Sequence, residues 1–227
     1  MLIRLQISVT FFKKTMTEAE LYNLGWTFLL IAMTGDLIVS FILSFFYKGY
    51  SNLKMSISAL GNPKSPVRIP FNIWMLFEGL LFLFALPAIN DYFNTVSPKL
   101  TITLLIFIAA FAVGACIFTC FFSVNETKEI TTVASKIHGA GSAIGFCLFL
   151  FVPLIISILY FKSNENLFGI ISLASFVISL LFFVLFIMSD KENFASTFIA
   201  NEGHWQRLNL IFMYLPLCIV CVQRIIG

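Results

Sequence analysis

The run IPFNIWMLFEGLLFLFALPAIN, residues 69–90, decides the fold. As an α-helix at ~1.5 Å per residue it is about 33 Å long, enough to cross a bilayer core of ~30 Å. Its apolar residues do not alternate as a barrel strand requires, and an open sheet would leave backbone groups unpaired in lipid. Five further runs of the same kind follow the same reasoning, at about 24–47, 100–122, 137–161, 166–188 and 206–226. The fold class is therefore an all-α polytopic transmembrane bundle of six helices. It forms one membrane domain over 24–227, preceded by an N-terminal arm over 1–23.

Composition agrees with the spans. Hydrophobic residues make up 59% of the 227 positions and charged residues 11%, where soluble domains carry about 25%. Mean hydropathy is +0.97. So little charge cannot cover a water-soluble globule, which excludes a cytosolic enzyme, a nucleic-acid binder and a disordered chain together. The net charge of +3 is too small to imply an electrostatic partner. All five cysteines, Cys116, Cys120, Cys147, Cys218 and Cys221, fall inside apolar runs, where a disulfide framework would not place them. Residues 1–15 lack the continuous apolar stretch and small-residue cleavage site of a secretory signal. Met16 reads as an alternative start, which makes 1–15 either a mis-annotated leader or an amphipathic arm, with the first span as an uncleaved signal anchor.

Six spans put both termini on one face, side A, with the links near 91–99 and 162–165. The links near 48–68, 123–136 and 189–205 lie on the other face, side B. Side A carries Arg4, Lys13, Lys14, Lys99, Lys162 and Arg224, and side B carries Lys48, Lys54, Lys64, Arg68, Lys128, Lys136, Lys191 and Arg207. That division does not decide orientation under the positive-inside rule, although a start at Met16 would favour side B in the cytoplasm.

Two acids sit inside spans, Asp36 in the first and Glu78 in the second. An ionisable group there costs roughly 2.5–3.5 kcal/mol to insert and marks a candidate function, proton carriage above all. The alternative is a hydrogen-bonded or protonated acid that only packs. Ala32, Asp36, Ser40 and Ser44 recur every four residues, so this narrow polar face must look into the bundle. Gly79, beside Glu78, permits another backbone to approach. In the fourth span, Gly141 and Gly145 form a small-xxx-small pair suited to close helix contact. His138 opens that span at the side-B boundary, as a site or as an interfacial histidine tied to a loop carbonyl. Gln206 and Arg207 open the sixth span at the same boundary, where arginine is either an anchor or a partner for a carboxylate or phosphate. Lys64 and Arg68 flank the turn formers Asn62-Pro63 and Ser65-Pro66 and suit anionic head groups. Pro153 and Pro216 are expected to kink their helices, and Asn125-Glu126-Thr127 matches a short glycosylation sequon. The ligand-binding candidates are thus Lys64, Arg68, Asn72, His138, Gln206 and Arg207, which are expected to gather on side B with the Gly61–Pro66 loop. Arg207 is expected to bond a loop carbonyl, Asn72 or Glu126.

There is no G-x-S-x-G, no H-E-x-x-H and no phosphate-binding glycine loop. Only two histidines exist, so a three-ligand zinc site would have to recruit an acid. No metal or cofactor is expected.

The segments SISALGNPKSPVRIPFNIWMLFEGLLFLFAL, KIHGAGSAIGFCLFLFVPL and GHWQRLNLIFMYLPLCIV resemble the bacterial and archaeal membrane family called domain of unknown function 998. The matching positions are Gly61 in the first loop, Asn72 and Gly79 in the second helix, His138 opening the fourth, and Gln206-Arg207 opening the sixth. The resemblance implies a six-span bundle in the plasma membrane with both termini inside, which would put side B outside the cell. Many relatives carry an Asp-Pro stretch before the fourth helix, whereas this chain has FFSVNETKEITTVASKIH there. The resemblance brings no activity with it.

Three functions fit these residues. The first is a protein that binds a lipid head group or a membrane-active amphiphile in a polar side-B pocket, with membrane lipids as partners. The second is a proton-coupled carrier using Asp36 and Glu78. The third is an intramembrane hydrolase or transferase using His138.

Overall fold

A computed structural model describes residues 17–125 and 132–226. The arm expected over 1–15, the start at Met16, most of the sequon, and Glu126 as a partner of Arg207 lie outside the described residues. Six helices there are long and apolar enough to cross a membrane. They are α1 (Glu18–Ser44), α2 (Arg68–Asn94), α3 (Pro98–Phe121), α4 (Val133–Lys162), α5 (Asn166–Ser189) and α6 (Glu202–Ile226). The described residues contain no strand.

Local chemistry moves several ends outward from the apolar runs. α1 starts at Glu18, within what was expected to be the arm, because Thr17 and Glu20 form a capping box that satisfies two backbone donors. Thr132 and Ser135 make the same reciprocal pair and start α4 at Val133. α6 gains a polar first turn, from Glu202 to Trp205, that hydropathy alone does not include.

The helices form a closed ring. Consecutive helices pack on one another and α6 returns against α1. Close approach depends on glycine at two seams. At the α3–α4 seam a Cβ on Gly114 would overlap the Gly141 carbonyl, and one on Gly145 would come 3.2 Å from the Ala110 oxygen. At the α2–α3 seam a Cβ on Gly79 would come 2.7 Å from the Ala112 oxygen. With no water to expel in lipid, such contact is a main source of helix association.

Two irregularities shape the interior. α3 widens into a π-helical segment at Ala112–Ile117, a deformation that frequently accompanies functional sites. α4 breaks between Phe149 and Val152, where Pro153 cannot donate to the preceding turn. Pro216, by contrast, lies within an uninterrupted α6. The break divides the packing of α4. Its first half, Val133–Phe149, packs on α3 and the π segment, whereas α5 and α6 pack on its second half, Val152–Lys162. The centre of the ring is filled by Phe82, Phe111, Phe149 and Tyr214, with ring centroids 4.5 Å apart for Phe111–Phe149 and 5.7 Å for Phe149–Tyr214.

Candidate functional site

Above that aromatic cluster the bundle opens toward side B in a cavity of about 500 Å³. Every helix contributes to it. The floor carries Asp36 from α1 and Glu78 from α2, together with Phe111 from α3. One wall is the first half of α4, with His138, Ser142, Ala143 and Phe146, and the facing wall is the end of α5, with Phe183, Phe186 and Ile187. Ser56, Ile57 and Ser58 of the first loop and Gln206 of α6 close the side-B end. Glu78 lies ten residues into α2, so the floor is about 15 Å from that end at ~1.5 Å per residue.

Both acids are buried, Asp36 at 4% exposure and Glu78 at 0%. The four-residue stripe of α1 turns inward as its pattern requires, with Ala32, Asp36, Ser40 and Ser44 all buried. The Tyr214 hydroxyl donates to Oδ2 of Asp36 at 2.8 Å. The Cys116 thiol, carried by the π segment, donates to Oε1 of Glu78 at 3.5 Å. Oε2 of Glu78 has no hydrogen-bond partner. Trp74, one turn before Glu78, lays its ring on α1 where Gly35 leaves room.

His138 ties α4 to α3 through Nδ1, 3.0 Å from the Phe122 carbonyl. Since a carbonyl only accepts, Nδ1 donates, and Nε2 of the neutral ring is left as an acceptor 3.5 Å from Ser142 Oγ. Gln206 accepts the Ile57 amide at 2.7 Å and so fixes the loop that closes the cavity.

The neighbouring Arg207 faces a different surface. Its guanidinium reaches the carbonyls of Asn52, Met55 and Gly203 at 2.8, 3.2 and 2.9 Å, and Tyr50 Oη and Asn52 Oδ1 at 2.8 Å each. Arg207 thereby clamps the first loop onto the start of α6. The loop can come this close because residue 203 is glycine, whose Cβ would lie 2.6 Å from the Asn52 oxygen. Burial pushes the Tyr50 hydroxyl above its ordinary pKa, an effect the Arg207 charge partly offsets.

The structure thus brings His138 and Gln206 to the cavity that Asp36 and Glu78 line. Lys64 and Arg68 are exposed on side B, outside the cavity lining. Asn72 also lies outside it, with Oδ1 against Gly61 and without a hydrogen bond. Arg207 meets loop 50–55 and not the Gly61–Pro66 segment. Tyr214, Cys116 and Thr119 were not among the sequence candidates, although Cys116 and Thr119 belong to a stripe of small residues that reads as packing. Among the described residues no group of His, Cys, Asp and Glu is placed to hold a metal ion.

No curated protein and no solved structure matches the chain. A family model described as protein of unknown function (DUF998) matches residues 30–223. That match reaches from the middle of α1 to the last turn of α6, through every element that lines the cavity, and the chain belongs to this DUF998 family of multi-pass membrane proteins.

Proposed function

We propose that the protein binds a membrane amphiphile in the side-B cavity. The observation that carries this reading is the pairing of an apolar wall with a polar floor in one space of about 500 Å³. α5 packs on the second half of α4, and the first half faces the end of α5 across the cavity. An acyl or alkyl chain can therefore leave sideways into the leaflet past Ala143, Phe183 and Ile187, while the polar end reaches Asp36 and Glu78. Pockets of 300–1,000 Å³ with apolar walls and a few convergent polar groups are the usual form of small-molecule sites. Lys64 and Arg68, exposed at the same boundary, hold the bundle to anionic head groups. With both termini inside a bacterial plasma membrane, the cavity serves the outer leaflet.

The carrier reading draws on the same two acids, but Phe82, Phe111, Phe149 and Tyr214 pack beneath them and support a site reached from one side. The hydrolase reading draws on His138 beside Ser142, whose contact of 3.5 Å is long for a nucleophile and its base.

Native mass spectrometry of protein released from mild detergent tests the reading. A small-molecule adduct is expected on the wild type and on Ile144→Trp, whose site faces outward at 60% exposure. It should be lost in Ala143→Trp, which fills the cavity. Equal adducts on both variants, or none on the wild type, would overturn the proposal.

A further inference from the structure

Resting on that reading, we infer that the polar end the cavity takes is an ammonium group, seated between Asp36 and Glu78. The first observation is the charge of the lining. Asp36, Glu78, Asp190 and Glu202 border the cavity, and no lysine or arginine among the described residues does. The described lysines and arginines of side B lie outside its lining. Arg207 is committed to the carbonyls of Asn52, Met55 and Gly203. An anionic head group drawn into this space would meet carboxyl groups and no lysine or arginine among the described residues to pair with.

The second observation is independent of charge. Protein donors already serve one oxygen of each floor carboxyl, Tyr214 on Asp36 and Cys116 on Glu78. Oε2 of Glu78 makes no hydrogen bond, nor does the Trp74 indole N–H beside Glu78, although Glu78 is wholly buried and lines the cavity. Leaving such an oxygen unpaired is costly, so a buried acceptor of this kind calls for a donor. An ammonium carries three N–H donors and no acceptor, and both carboxyls line the same cavity. A hydroxyl head would supply a single donor and no charge. A phosphate or sulfate head would supply no donor when ionised. The ligand class is therefore a long-chain primary amine, with its alkyl chain running out between α4 and α5.

Photolabelling of the full chain in lipid nanodiscs tests this. The probes are a twelve-carbon primary amine and a twelve-carbon alcohol, each with a diazirine in the chain, and dodecylamine, dodecanol and dodecyl sulfate are the competitors. The amine probe should label 133–149 and 183–190, and dodecylamine should compete about tenfold or more better than dodecanol or dodecyl sulfate. Glu78→Gln should remove that preference, and Glu78→Asp should restore part of it. Should Glu78→Gln fail to fold, Asp36→Asn is read in its place. Nanodiscs of phosphatidylethanolamine against phosphatidylglycerol separate the two sources of the ammonium. Competition by the former identifies a lipid head group, and its absence identifies a free amphiphilic amine. If both probes label the cavity and the three competitors act equally, the ammonium inference falls and the amphiphile site stands. If neither probe labels it, both fall.

Discussion

Replacing Arg207 with lysine separates a loop clamp from a surface anchor. The guanidinium makes five contacts, three to carbonyls of Asn52, Met55 and Gly203 and two to Tyr50 Oη and Asn52 Oδ1. A lysine ammonium has three donors and lacks the planar fork, so at least two contacts are lost. Hydrogen bonds to a charged group contribute about 1.5–3 kcal/mol each, and Arg207 is half-buried, which places the loss near the lower end, at about 3 kcal/mol. An exposed anchor would lose about 0–1 kcal/mol. At roughly 2–4 °C per kcal/mol for a chain of this size, the clamp predicts a melting temperature lower by about 6–12 °C. Thermal unfolding in mild detergent measures this, and the rate of tryptic cleavage at the exposed Lys54 reports on the loop itself. Cleavage should accelerate, while photolabelling of the cavity should persist because Arg207 is outside its lining. Melting within about 1 °C of wild type with unchanged cleavage at Lys54 would refute the clamp.

Three other outcomes are expected. Gly114→Ala places a methyl against the Gly141 backbone, which cannot yield as a side chain can, and should cost about 1–3 kcal/mol. Gly139→Ala meets nothing within 4 Å and should be neutral or stabilising by up to about 1 kcal/mol, so equal melting of the two variants would contradict the α3–α4 seam. The half-buried Tyr50 hydroxyl holds its proton more tightly in the folded protein than in the unfolded chain. Its contribution to stability is therefore complete below the ordinary tyrosine pKa of about 10 and is lost as pH rises through the higher folded value. A melting curve against pH should show this alkaline loss in the wild type and less of it in Tyr50→Phe. In a cysteine-free background, cysteines at positions 96 and 164 should label from one face of the membrane and those at 54 and 196 from the other. Mixed accessibility within either pair would break the six-span topology.

Hydropathy and helix period determined the spans and several of the faces. A run long enough to cross lipid must satisfy its own backbone, so α2 was legible from residues 69–90 alone, and the inward face of α1 followed from Ala32, Asp36, Ser40 and Ser44. Gly141 and Gly145 announced a close seam because only small residues permit one. What those patterns do not contain is the azimuth of one helix against another. Gln206 and Arg207 are adjacent in sequence and about 100° apart around α6, given 3.6 residues per turn. That angle sends Gln206 to the cavity and Arg207 to the loop. The sharing of one cavity by His138, Asp36 and Glu78 likewise depends on two backbone departures without a hydropathy signal. The π segment turns Cys116 toward Glu78, and the break after Phe149 divides α4 into one half that packs on α5 and another that faces it across the cavity. Residue chemistry marks which groups are costly to bury in lipid, but only the packed ring decides which of them face one another.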